Sequence, residues 1–188
     1  MIKKTILAAA LSLSLSSAAF AESYVIDTEG AHAAINFKTL HLGYSFLTGR
    51  FDVFTGSFDF DPTNPESAKV SVEIETNSLN SNHGERDNHL RSADFFDVTN
   101  HPKATFVSTG VKKTGDKTAI ITGDLTIRGV TKSVDLDVTY IGGGDDPWGG
   151  FRQGFTGTTS IVPADFGMPH PVAKGTVELA LEVEGIRK

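Results

Sequence analysis

Hydrophobic and polar residues alternate with a period of two through much of the chain. Val70, Val72 and Ile74 alternate with Ser71, Glu73 and Glu75, and Val134, Leu136, Val138 and Tyr140 alternate with Asp135, Asp137 and Thr139. Val177, Leu179, Leu181 and Val183 alternate with Glu178, Ala180, Glu182 and Glu184. Weaker alternations run through residues 33–37, 54–60, 104–108 and 121–127. Each predicts a strand with one apolar face and one wet face. That is the pattern of antiparallel sheet, because parallel strands buried on both faces read as continuous apolar runs. Turn signals separate the strands: Asp61-Pro62-Thr63-Asn64-Pro65, a hairpin loop at 113–116, a tight connection at Gly129, and a longer glycine-rich loop over 142–150. No repeat and no low-complexity linker divides the chain.

Seven or more one-sided strands must bury their apolar faces together, as a sandwich or as a closed barrel. Gly56, Gly123 and Gly157 lie inside strand patterns, where glycine permits the bends of barrel corners, so a barrel of about eight strands is preferred. Its inward positions mix Phe37, Phe58, Phe106, Leu125, Leu136 and Leu181 with Ala104, Gly123 and Gly157. Small residues among large ones leave room for one small ligand, or they fit the taper of a packed barrel; alternation alone leaves both open. No charged position falls on the inward faces so assigned, which suits an apolar ligand.

The ends and the composition narrow the class. Met1-Ile2-Lys3-Lys4, an uncharged Ala/Leu/Ser run to Ala18, and Ala19-Phe20-Ala21 form a secretory signal peptide, with cleavage expected between Ala21 and Glu22. The mature chain is then one domain, residues 22–188, placed in the periplasm of a Gram-negative cell by the resemblance described below. The apolar run is too short for a membrane span, so stable membrane insertion is not expected. Without Lys3 and Lys4, 15 basic residues stand against 23 acidic ones, a net charge of −8. Such a chain is poorly suited to nucleic acid or an anionic membrane face. There is no cysteine, which removes thiolate chemistry and leaves only His and carboxylate for metals. No cofactor is called for. Sheet edges leave a homodimer open.

Residues 81–97, SNHGERDNHLRSADFFD, are the densest stretch of titratable groups. Read as a helix over 82–91, Asn82 is the N-cap, Glu85 faces His89, and Asp87 faces Arg91. His83 and His89 are six apart, on different helix faces, which does not suit joint metal ligation. No nucleophile motif accompanies the serines, so no catalytic residue and no metal ligand is assigned and the protein is read as not an enzyme. Leu90, Phe95 and Phe96 would pin the helix across a barrel end. Arg86 and Arg91 either meet a polar head group at the barrel mouth or pair with Asp87 and Asp94. Leu40, Leu42 and Tyr44 are placed at an entrance, and Trp148 as a cap on one barrel end.

These residues carry a resemblance. Asp27-Thr28-Glu29-Gly30-Ala31-His32-Ala33-Ala34-Ile35-Asn36-Phe37, His41-Leu42-Gly43-Tyr44-Ser45, Glu85 to Phe96 (ERDNHLRSADFF), His101 to Phe106 (HPKATF), Gly123 to Lys132 (GDLTIRGVTK) and Gly144 to Gly150 (GDDPWGG) occur in order across the mature chain. The chain resembles the YceI-like family of exported bacterial proteins, and the signal peptide with the GDDPWGG loop looks like its Gram-negative periplasmic branch. The resemblance implies an all-β, extended antiparallel lipocalin-like barrel with one or two short helices near its ends. It also implies a polyisoprenoid chain, a prenylated quinone or a fatty-acid-type amphiphile along the barrel axis. The expected function is a periplasmic carrier of a long isoprenoid-type lipid. The alternatives are fatty-acid or fatty-amide binding, or a stress-related periplasmic protein without cargo. The apolar chain is expected against Ile35, Phe37, Leu42, Phe58, Val72, Ile74, Phe106, Leu125, Ile127, Leu136 and Val138, with Arg86 and Arg91 as head-group candidates.

Overall fold

Each alternating stretch becomes a strand in the computed structural model, which describes residues 21–188. The strands are β1 (Glu22–Ile26), β2 (Ala34–His41), β3 (Ser45–Phe51), β4 (Phe54–Phe60), β5 (Lys69–Glu75) and the two-residue β6 (Leu79–Asn80), followed by the helix α1 (Gly84–Arg91). Then come β7 (Lys103–Lys113), β8 (Thr118–Ile127), β9 (Val130–Asp145), β10 (Phe151–Ile161) and β11 (Val177–Arg187). All pairings are antiparallel. The order β1-β4-β5-β7-β8-β9-β10-β11 closes on itself because β11 returns to β1. The result is a closed eight-stranded barrel, and closure rules out the sandwich. β11 serves two neighbours on one edge, β2 along Val177 to Glu182 and β1 along Gly185 to Arg187. The β2–β3 hairpin therefore extends the wall beyond the ring, and β6 caps the edge of β3.

Register fixes which side chains point inward. Phe106 opposes Leu125, Ile121 opposes Leu136, and Gly157 opposes both Val138 and Leu181. The small residues do two different jobs. A Cβ on Gly123 would collide with the Phe106 ring and lie 2.8 Å from the Val107 carbonyl, so this glycine seats a ring. A Cβ on Gly157 would meet its neighbours at ordinary van der Waals distance, 3.5 Å at closest, so this one leaves space.

One end of the barrel is plugged. Phe95 is buried with Ala104, Ile127, Phe166 and Met168, while Leu90 and Phe96 pack against both halves of the core. Phe96 meets Phe51 edge-on at 5.7 Å. The plug segment is tied to the β8–β9 turn: Arg128 Nη1 donates to the carbonyls of Ala93 (2.9 Å) and Phe95 (2.5 Å). That turn, Arg128-Gly129, has φ of 51° and 73°, as a two-residue hairpin turn of the I′ kind requires.

Gly123→Ala should destabilise the fold by about 1–3 kcal/mol through overpacking. Gly110→Ala, where a Cβ meets nothing within 4 Å, serves as the control and should stay within about 0.5 kcal/mol of the parent. Urea unfolding midpoints of the two variants check this; equal midpoints would contradict the ring-seating role.

Candidate functional site

The inward faces do not fill the barrel. A cavity of about 360 Å³ lies between β4, β5, β7, β8, β9, β10 and β11, with Ile26 and Ile35 completing the wall. It divides the core into two clusters, one around Phe106, Leu125 and Leu136 and the other around Tyr24, Ile35, Phe54 and Phe58. Val70, Val72, Ile74 and Leu181 touch both clusters yet stay only partly buried, because each faces the gap. Phe155 anchors an aromatic group on one wall, its ring centroid 5.1 Å from Phe60, 5.3 Å from Tyr140 and 5.4 Å from Phe58. The cavity opens at the end away from α1, between the β7–β8 hairpin (Lys113, Gly115, Asp116, Lys117, Thr118) and the β4–β5 connection (Pro62, Pro65, Ala68). A larger concavity, about 1230 Å³, lies on the outside of the sheet among Lys38, Asp135, Asp137, Thr158, Ser160 and Glu178. Its open, charged walls cannot desolvate an apolar chain; the interior can.

Eight of the eleven positions expected to line a ligand border this cavity: Ile35, Phe58, Val72, Ile74, Phe106, Leu125, Leu136 and Val138. Ile127 is buried in the plug cluster instead. The Phe37 ring rests on Gly49 and borders the outer concavity. Leu42 is 66% exposed at the tip of the β2–β3 hairpin, with φ of 50° beside Gly43 at 84°. Leu40 and Tyr44 share that tip and are exposed, so they form no entrance to the cavity. Trp148 is 76% exposed and stacks over the Arg152 guanidinium at 5.3 Å, so it caps nothing. Phe60, Tyr140, Phe155, Leu179 and Val183 line the cavity and were missed, although strand parity places them inward. Lys113 also faces the cavity, against the expectation of no charged inward position.

The dense stretch is spoken for internally. The helix N-cap is His83, whose Nδ1 accepts from Arg86 N at 3.3 Å; Asn82, expected in that role, has φ of 61°. Arg86 donates to Ser81 Oγ (2.7 Å) and Ser81 O (2.6 Å). Arg91 donates to Asn77 O (2.9 Å) and Leu79 O (2.5 Å). Asp87 is buried and accepts from Ser81 N (2.8 Å) and Ser81 Oγ (2.5 Å). Burial pushes its pKa up, but the two bonds from Ser81 prevail and hold the carboxyl below its usual range. His89 pairs with Asp94 at 3.1 Å. The expected Glu85–His89 and Asp87–Arg91 contacts thus give way to Asp94 and Ser81. Neither arginine borders the cavity; both staple α1 to the 77–81 segment.

A second polar cluster sits on the barrel seam. Arg152 Nη1 donates to Asp27 Oδ2 (2.6 Å) and Glu184 Oε1 (2.5 Å), and its Nε donates to Asp146 Oδ2 (2.8 Å). His32 Nδ1 lies 3.0 Å from Asp27 Oδ2. Asp27, His32 and Glu184 present ligand atoms within 4.8 Å of one another, a geometry that suits a cation. The guanidinium of Arg152 already fills that place, and an ion would have to displace three charge-assisted bonds.

Comparison with known proteins agrees with the barrel. Residues 24–185 match the YceI-like domain. The chain is 53% identical over 192 residues to a UPF0312 protein of Azotobacter vinelandii, and 52% identical over 191 residues to one from Pseudomonas putida, each alignment covering both chains in full. The solved structure of the Campylobacter jejuni YceI protein is similar with a TM-score of 0.72 at 32% identity, over 79% of this chain and 90% of that one. Burkholderia cenocepacia BcnA shares the fold with a TM-score of 0.76 at 21% identity, over 85% and 98%. A polyisoprenoid binding domain from Saccharophagus degradans, implicated in plant cell wall breakdown, shares it at 0.63 and 17%, over 89% and 99%.

The seam cluster sets a pH signature. The hydrogen bond from Arg152, then that from His32, holds the Asp27 carboxyl at a pKa of about 2, below the ~3.9 of an unfolded chain. Its stabilisation is therefore complete above about pH 4 and is lost as the pH falls toward 2. Asp27→Asn should cost about 1–3 kcal/mol at neutral pH and should show a shallower fall of melting temperature between pH 4 and 2 than the parent. Parallel pH profiles for the two proteins would remove Asp27 from the acid response.

Proposed function

The chain belongs to the YceI-like family, and on that footing we propose that it is a periplasmic binding protein that carries an isoprenoid-type lipid with the apolar chain inside the barrel. The observation that carries this reading is the cavity: about 360 Å³, walled by aliphatic and aromatic side chains, inside a closed barrel. Burying each methylene of a chain there contributes ~0.8 kcal/mol, so an apolar chain needs few polar contacts to be held. Similarity to a polyisoprenoid binding domain supports the isoprenoid class. Binding is favoured over catalysis because the lining contains no histidine and is largely aliphatic and aromatic. The signal peptide read over 1–21 supports the periplasm; residues 1–20 lie outside the described structure. Glu22, the residue after the expected cleavage point, opens β1 and receives hydrogen bonds from Tyr24 Oη (2.9 Å) and Arg187 (3.0 Å).

Mature protein purified from the periplasm and extracted with organic solvent should yield a prenyl lipid by mass spectrometry, near one per chain. Gly157→Phe, which fills space at the cavity wall, should lower the retained lipid by about tenfold or more while the circular dichroism spectrum stays that of the parent. A parent protein that comes out empty and takes up no prenyl lipid would sink the proposal.

A further inference from the structure

The cavity is a sac with one mouth. The barrel end away from that mouth is closed by the plug of Phe95, Phe96 and Leu90, which packs beneath the lining residues and does not itself border the cavity. An amphiphile held inside must therefore enter tail first and leave its head at the β7–β8 hairpin. A bulge decides what the head meets there. Between Ser108 and Gly110 the β7–β8 register shifts, so that Gly110 pairs with Thr122 and Val111 with Ile121. The shift puts Val111 and Lys113 on the inner face in place of Gly110 and Lys112, and Lys113 opposes Ala119, another lining residue. Lys117 is the second lysine at the rim, its Nζ 3.5 Å from the Ile141 carbonyl and 6.0 Å from the Tyr140 ring centroid.

These two lysines are the cations among the lining residues, and among the described residues neither has a carboxylate within 4.0 Å, unlike Lys38 and Lys103, which pair with Glu178 and Glu73. The lining also includes three acids, Asp59, Asp116 and Glu182. Asp59 accepts from Ser23 Oγ at 2.6 Å, Glu182 from Thr156 Oγ1 at 3.2 Å, and Asp116 sits in the hairpin loop. The hairpin is braced by Glu66, which accepts from the Lys113 backbone N–H at 3.1 Å, and by Thr114 Oγ1 donating to Thr118 Oγ1 at 3.0 Å. The lysine stems are thus mounted on an anchored loop beside the opening of an apolar sac.

We propose that the head group of the cargo is anionic, a carboxylate or a phosphate monoester, and that Lys113 and Lys117 hold it while the sac takes a tail of roughly a dozen carbons. The length follows from the volume: about 360 Å³ at roughly 30 Å³ per water-sized group. This rests on the lipid-carrier reading and adds the head chemistry, the direction of insertion and the chain measure to it.

The test uses delipidated mature protein and displacement of the neutral probe N-phenyl-1-naphthylamine by dodecanoate, dodecyl phosphate and dodecanol. At low salt at least one anionic ligand should bind about tenfold more tightly than the alcohol, and salt should shrink the difference. Comparison of the two anions separates the carboxylate source from the phosphate source. The double change Lys113→Met with Lys117→Met should abolish the preference and leave dodecanol binding unchanged; Lys113→Arg with Lys117→Arg should keep it. In a series of acids, affinity should rise to about twelve carbons and then level off. Equal binding of acid and alcohol, or a preference that survives the methionine changes, overturns the anionic head and leaves the carrier reading standing. Failure of all three ligands to displace the probe overturns the carrier reading, and the head-group assignment with it.

Discussion

The barrel depends on one seam. β11 has to hand its hydrogen bonds from β2 to β1 along a single edge, and a gap in that ladder would leave backbone groups unpaired inside the wall. Asp27 N donates to Glu184 O at 2.8 Å and carries the ladder across the gap. Arg152, one strand over on β10, then grips the side chains of both residues. A buried carboxylate is tolerated only when it is paired, and here each acid at the handover has the same guanidinium. Closure removes the free edge between the first and last strands and forces eight apolar faces to share one interior.

The two ends of that interior are built from different materials. At the plugged end, charge is spent on backbone: Arg86, Arg91 and Arg128 all donate to main-chain carbonyls, so they fix loops in place and keep no hydrogen-bonding capacity aimed at the cavity. At the open end the lysines project from a hairpin whose loop is braced by Glu66 and by a threonine pair. The plugged end is therefore tied down and apolar, and the two lysines that line the cavity lie at the mouth. An amphiphile has one orientation in such a vessel.

Much of this was legible in the chain itself. Alternation over 70–75, 134–140 and 177–184 marks strands and their inner faces correctly because a period of two admits no other regular structure. It brings Ile35, Phe58, Leu136 and Val138 to the cavity. It fails where parity changes or side chains compete. The β7 bulge inverts the inner and outer faces within one strand, a one-residue slip, and so hides Lys113. Leu42 looks like an apolar contact in sequence, but it sits in the three-residue β2–β3 loop, where its positive φ and that of Gly43 swing it outward. Helix spacing makes Asp87 and Arg91 partners, yet Asp87 points inward, where Ser81 offers two donors and burial favours the nearer bonds. The resemblance of 85–96 and 144–150 to the YceI-like family supplied the closed barrel where periodicity left a sandwich open.

The space that the side chains leave inside the barrel is itself an argument about purpose. Cavities left by core truncations cost about 24 cal/mol per Å³. On that scale a space of about 360 Å³ left between side chains represents on the order of 9 kcal/mol, comparable with the whole stability of a typical domain. Filling it would start from the wall: Gly157 accepts a Cβ at ordinary van der Waals distance, and Val70, Val72 and Val138 border the space. A barrel whose task was only to be stable would be packed by such changes. The surrounding architecture instead keeps the walls apart: Phe106 sits on Gly123 and is drawn toward the wall, and Phe155 is held among Phe58, Phe60 and Tyr140. Rings stacked against the wall cannot collapse inward. The same aromatic contacts that make the barrel firm are what hold its centre open for a chain.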